Sequence, residues 1–267
     1  GYDVDWAVVP SAGSGPMLSL PGYAFSDEPH WIDATDQLRH EQKHHLLLDG
    51  IDHKSSMAEG LVFTKHLAST DWVVSEHRVN GIPTMPGTAF LEMARAAASE
   101  ALGITQISLT DIRWRSSLPV PDDGVDLRVI LVDGRFHIEA SDGNAFIEGR
   151  YAPLTEAPLE LDPALFDRDW PLETSGKDFY DLCEQANLDL GPHFRGIQSV
   201  YGDNDQAFGR LRLKTTTEGL TLHPGLLDGA FQSTGGRSAD SLPGAGRRVM
   251  PFSLDGIDVY GSLGGDC

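Results

Sequence analysis

Pro86-Gly87-Thr88-Ala89-Phe90-Leu91-Glu92-Met93-Ala94-Arg95-Ala96-Ala97-Ala98-Ser99-Glu100-Ala101-Leu102-Gly103 is the stretch that decides the fold. Pro-Gly punctuates its start and Gly103 its end, so it reads as a helix over about Thr88 to Leu102. Phe90, Ala94, Ala97 and Ala101 fall on one face, and Leu91, Met93 and Ala98 widen that stripe. A helix apolar around most of its girth is buried on several sides. Its alanines let strands approach closely.

Downstream come strand-like runs: Ile104–Trp114, Val125–Val132, Phe136–Ala140 and Ala145–Arg150. Asp122-Asp123-Gly124, Asp133-Gly134 and Asp142-Gly143-Asn144 separate them, and Asp-Gly between short strands signals hairpins. Upstream, Leu61–Thr64 and Trp72–Val74 are β-branched and aromatic, hence strand-like, and Gly81–Gly87 is turn-rich. The first half therefore reads as a buried helix followed by an antiparallel meander. After a proline-rich linker at about Pro153–Thr174 the scheme repeats. Phe179, Leu182, Cys183 and Ala186 mark an amphipathic helix, Gly191-Pro192 breaks it, and strands follow near Ile197–Tyr201 and Phe208–Leu213. Pro224-Gly225 opens a last helix, Leu226 to Thr234, about half a chain after Pro86-Gly87, which suggests two related α+β halves. The first residues, to roughly Asp36, are rich in Pro, Gly and Ser with scattered aromatics, and read as an extended segment lying along a neighbouring domain.

The chain has 267 residues, 40% hydrophobic and 22% charged, enough for a packed core. Its formal net charge of −20 excludes nucleic-acid binding through the overall field and disfavours an anionic membrane surface. No apolar run has the length of a membrane span, and no signal peptide is apparent. Two cysteines, Cys183 and Cys267, cannot build a disulfide framework, so a reducing cytoplasmic setting is expected.

Two segments could carry chemistry. His77-Arg78-Val79-Asn80-Gly81-Ile82-Pro83-Thr84-Met85-Pro86 sits just before the buried helix. His223-Pro224-Gly225-Leu226-Leu227-Asp228-Gly229-Ala230-Phe231-Gln232 places Asp228 and Gln232 one helical turn apart among apolar residues, where a carboxyl is desolvated and its pKa raised. Alone, His77 reads as a structural histidine and Asp228 as a helix cap. His223 reads as a residue that orders the turn before its helix. His40-Glu41-Gln42-Lys43-His44 spells the H-E-x-x-H of zinc peptidases, but its flanks lack the apolar face of a stable helix, so no metal site is expected.

Together the two segments resemble the signature motifs of the dehydratase domain of modular polyketide synthases. Leu20–Phe25 with His30-Trp31 looks like the linker that follows the acyltransferase in such synthases. Phe179-Tyr180, Gly191-Pro192-His193-Phe194-Arg195-Gly196 and Met250-Pro251-Phe252-Ser253-Leu254 match the family's order. The resemblance implies an α+β double hot dog, in which each half is a long helix wrapped by an antiparallel sheet. Residues 1–38 would be the linker, 39–160 the N-terminal half and 161–267 the C-terminal half. Its final strands are expected to be missing, because the chain ends earlier than the family would have it.

The activity so implied is elimination of water from a β-hydroxyacyl thioester carried on the phosphopantetheine of an acyl carrier protein, without metal or organic cofactor. His77 would be the base and Asp228 the acid. Gly87, Gln232, Gly81, Pro86, Leu190 and Pro192 would position substrate or stabilise the enolate-like oxygen, the Gly87 N–H being the natural donor because Pro86 has none. The partners would be the carrier protein and other synthase domains, with room for a homodimer and with no nucleic acid or membrane. Arg237 and Arg247-Arg248 sit in a loop that could meet the carrier protein, although a solvated loop is the default. Leu190 stands where the family often has tyrosine, so a substrate-facing hydroxyl is missing, and His45-Leu46-Leu47-Leu48 lacks the usual proline. The same acid and base can also shift double bonds, close a pyran ring or steer aromatic cyclisation. A reading of another class is a scaffold domain with a decayed site.

Overall fold

The computed structural model describes residues 45–160, 169–203, 205–215, 219–237 and 251–263, all within one unit, Lys43–Cys267. The expected linker 1–38, the His40–His44 motif, Arg247-Arg248 and the side chain of Arg237 lie outside them.

In chain order the strands are β1 (Gly50–Ile51), β2 (Leu61–Leu67), β3 (His77–Val79), β4 (Ile82–Met85), β5 (Ile107–Trp114), β6 (Leu118–Pro119), β7 (Val125–Val132), β8 (Arg135–Ala140), β9 (Ala145–Pro153), β10 (Leu172–Ser175), β11 (Leu188–Leu190), β12 (Ile197–Gly202), β13 (Ala207–Leu211) and β14 (Ser253–Val259). The helices are α1 (His53–Glu59), α2 (Trp72–Ser75), α3 (Gly87–Leu102), α4 (Gly176–Gln185) and α5 (Pro224–Ser233).

A seven-stranded antiparallel sheet in the order β1-β2-β7-β8-β9-β5-β14 carries α3. Every residue of α3 from Thr88 to Ala98 is buried, as the all-round apolar pattern requires. The sheet covers one side of the helix and α5 packs on another. Each large apolar side chain so buried contributes roughly 1.5–3 kcal/mol. The Asp-Gly signals hold. Asp133-Gly134 joins β7 to β8 and Asp142-Gly143-Asn144 joins β8 to β9, with Asp133 and both glycines at positive φ. The second half is smaller. A three-stranded sheet β10-β12-β13 packs on α4 and α5, and a four-stranded sheet β11-β3-β4-β6 brings segments of both halves together.

Four expectations need correction. Trp72–Val74 is helical, not a strand. Asp71 Oδ2 accepts the Ala68 N–H, and the backbone then closes from Asp71 O to the Val74 and Ser75 N–H groups, so a locally closed turn overrides β propensity. The turn-rich passage Gly81–Gly87 contains strand β4. The proline-rich linker contains β10, which pairs with β12. The last described strand, β14, does not join the second-half sheet but pairs with β5 and closes the edge of the large one.

Candidate active site

His77 opens β3, and Asn80-Gly81 turns the chain back into β4. Both turn residues have positive φ, 53° and 77°, which is the type I′ hairpin geometry that favours Asn-Gly. Gly81 is exposed at that turn and accepts a hydrogen bond from Arg78 through its carbonyl, so it shapes the hairpin. The His77 ring is buried, 8% exposed. Its Nδ1 lies 2.8 Å from the Thr84 carbonyl across the hairpin. A carbonyl only accepts, so Nδ1 carries the hydrogen, and in the neutral ring Nε2 holds the lone pair. Phe194 packs on the imidazole at 5.4 Å between ring centres. Leu190 is the direct cross-strand partner of His77, so the two side chains share a face. Pro192 is exposed at the start of a 3-10 turn, Pro192–Phe194, whose last residue packs on His77.

Pro86 is buried as the N-cap of α3, and its carbonyl accepts the Ala89 N–H. Gly87 begins the helix, where no preceding turn offers its N–H a carbonyl. Trp114 Nε1 donates to the Gly87 carbonyl at 3.1 Å, and a Cβ on Gly87 would stand 2.9 Å from that nitrogen. Glycine is therefore needed for the indole to pin the helix start.

Asp228 lies on α5. His223 caps this helix, its Nδ1 accepting the Gly225 N–H at 3.1 Å. A Cβ on Gly225 would come within 1.8 Å of the His193 carbonyl, so α5 begins in direct backbone contact with the 3-10 turn. Gln232, one turn on, donates from Nε2 to Asp228 Oδ2 at 2.6 Å. Its buried Oε1 has no partner among the described residues. Asp228 keeps partial exposure as a residue, yet its carboxyl is desolvated, and desolvation pushes its pKa up against the opposing pulls of His77 and Gln232. That same charge reaches Tyr180 and Cys183 on α4. Burial, reinforced by Asp228, pushes the Cys183 thiol up to about 12.

His77 and Asp228, from segments far apart in sequence, thus come within electrostatic reach of each other. A recess of about 250 Å³ lies elsewhere, lined by His45, Arg95, Ser99, Glu100 and Thr105. Its cation, Arg95, is already engaged by Glu92, so it offers less acid–base chemistry than the His77–Asp228 pair.

Comparison with known proteins gives the family. Residues 44–141 match the family described as polyketide synthase dehydratase domain. Residues 158–267 match the family described as polyketide synthase dehydratase N-terminal domain. The chain belongs to the polyketide synthase dehydratase family. Polyketide synthase ThaG of Burkholderia thailandensis is 30% identical over 307 residues, covering 99% of the chain. As with the other curated polyketide synthases it matches, the chain spans a small part of that protein, 5% of its length. Among solved structures, a dehydratase domain of a trans-AT polyketide synthase from Brevibacillus brevis superposes with a TM-score of 0.71 at 24% identity, covering 82% of each chain. The dehydratase of the CurJ module of curacin polyketide synthase, solved as an inactive His-to-Phe mutant in complex with a compound, gives 0.69 at 21% identity over 83% of this chain and 81% of that one. The fold of this polyketide synthase dehydratase is the double hot dog.

Several residues around the candidate site carried no signal in the sequence. Trp72 stacks on His193 at 4.3 Å and on His223 at 5.3 Å, and Glu76 accepts from both the backbone N–H and the Nδ1 of His193. Thr88 Oγ1 donates to the Pro224 carbonyl at 3.0 Å. A stacked ring or a bond between segments so distant leaves no periodic trace.

Proposed function

We propose that this domain removes water from a β-hydroxyacyl thioester presented on the phosphopantetheine arm of an acyl carrier protein, giving the α,β-enoyl thioester. One observation carries the reading: a buried imidazole with its lone pair on Nε2 stands within electrostatic reach of a desolvated carboxyl whose pKa is raised. These are the two complementary groups an elimination requires. His77 Nε2 takes the α-proton. Asp228, whose protonated form desolvation favours, donates to the departing hydroxyl, which leaves as water while the carbon–carbon double bond forms. The proton on His77 then returns to Asp228, so the cycle needs no added cofactor. Gln232 holds the Asp228 carboxyl, and the Gly87 N–H stabilises the developing charge on the thioester oxygen. The inactivity of the CurJ His-to-Phe mutant fits a histidine base.

The test is turnover of a racemic 3-hydroxyacyl thioester surrogate, followed by chiral chromatography and mass. The wild type consumes one enantiomer with loss of one water. Folded His77→Phe and Asp228→Asn variants each lose most turnover, since a positioned acid or base gives about 10²–10⁴-fold. Near-normal turnover by either variant refutes the assignment.

A further inference from the structure

The Asp228 helix is attached to the rest of the site through a buried carboxylate the chemistry above does not use. Glu92, in the middle of α3, is completely buried. Five donors converge on it. Oε1 accepts from His45 Nε2 at 3.0 Å, Arg95 Nη2 at 3.1 Å and the Thr221 backbone N–H at 2.7 Å. Oε2 accepts from Arg95 Nε at 2.6 Å and the Leu222 backbone N–H at 3.0 Å. The Leu47 N–H donates to His45 Nδ1, so the His45 hydrogen sits on Nε2 and points at Glu92. Burial acts to raise the Glu92 pKa, but the hydrogen bonds from His45 and Arg95 outweigh it and hold the carboxyl below its ordinary value.

Neutralising Glu92 requires only Arg95. The two backbone donors are a separate feature, because they come from the segment that leads directly into α5. His223, the next residue, caps α5, and Asp228 follows within that helix. One turn before Glu92 on α3, Thr88 binds the Pro224 carbonyl, so the same face of α3 grips the start of α5 at two points. Gly87, the oxyanion donor, begins α3. A single rigid helix therefore carries the donor and fixes the entry of the helix that bears the acid.

We propose that Glu92 is a positioning residue for the dehydration: by binding the Thr221 and Leu222 N–H groups it sets the register of α5, and so the reach of Asp228 toward the substrate hydroxyl. This rests on Asp228 being the acid. It touches no substrate itself.

Glu92→Gln in the full chain is the direct test. Each Glu92 oxygen faces one backbone N–H and one Arg95 N–H, so either orientation of the amide sets an NH₂ group against donors and breaks one backbone bond. The expected result is a folded variant whose kcat falls about 10- to 100-fold, the scale of a misplacement of order 1 Å. KM stays nearly constant, so kcat and kcat/KM fall together. Hydrogen exchange at the 221–228 amides rises at the same time. Thr88→Val, which removes only the second grip, shows the same signature at smaller amplitude and serves as the test should Glu92→Gln fail to fold. Unchanged kcat, or a kcat loss with 221–228 exchange unaltered, overturns the positioning role. Asp228→Asn separates the two levels: full turnover by that variant refutes Asp228 as acid, whereas an inactive Asp228→Asn beside a fully active Glu92→Gln refutes only the role of Glu92.

Discussion

Acid should weaken this fold through His223, and the size of the effect can be worked out. The side chain is fully buried, its Nδ1 is committed to the Gly225 N–H, and its Nε2 has no hydrogen-bond partner among the described residues. Desolvation, helped by the neighbouring His193, lowers its pKa to about 4 from an ordinary 6.5. The unfolded chain therefore takes up this proton first. The stabilisation is complete above pH 6.5 and is lost as the pH falls toward 4. At 1.36 kcal/mol per unit the loss is on the order of 3 kcal/mol. His223→Asn is the informative perturbation, because Asn keeps a cap acceptor and does not titrate. Urea unfolding of both proteins from pH 7.5 to pH 4 measures the difference. Glu92, with its lowered pKa, also weakens the fold in acid, and Asp228, with its raised pKa, acts in the opposite sense, but both titrate in wild type and variant and cancel in the comparison. Wild type should lose on the order of 3 kcal/mol more than His223→Asn. Parallel stability curves would refute the reasoning.

Two further substitutions test how the backbone holds the site. Gly81→Ala meets open space but a φ of +77°, so it costs about 1 kcal/mol by thermal denaturation while turnover per folded molecule persists; a large kcat loss would instead give Gly81 a direct role. Gly225→Ala drives a methyl into the His193 carbonyl and should cost at least ~2 kcal/mol, with activity lost as α5 is displaced; a stable, active variant would show that the contact between α5 and the 3-10 turn can yield.

The parts of the fold visible in the sequence are those with a local cause. The α3 helix announces itself by apolar residues on all sides between Pro86 and Gly103, and the β7–β9 meander by its Asp-Gly turns. Trp72–Val74 misleads because its residue types favour strands while backbone bonds from Val74 and Ser75 to the Asp71 carbonyl close a helical turn. The hairpin holding His77 is hidden because β3 has three residues, too few to show alternation. The identity of the pair His77 and Asp228 came from motif order, but the reason His77 presents Nε2 lies in Thr84, whose carbonyl no sequence pattern singles out. Glu92 and Arg95 look like incidental charges in an apolar helix. Their meaning depends on Thr221 and Leu222, brought in from the other half of the chain by tertiary structure alone.

The pairing of β14 with β5 has a consequence for biogenesis. Strand β5, Ile107–Trp114, is made early, but its outer hydrogen-bonding edge stays uncovered until Ser253–Val259 has been synthesised. During that interval the nascent chain presents an unpaired ribbon, the kind of template on which chains aggregate. Such distant closure also slows folding. Shortened versions lacking residues 253–259 should therefore suffer in solubility before they suffer in chemistry.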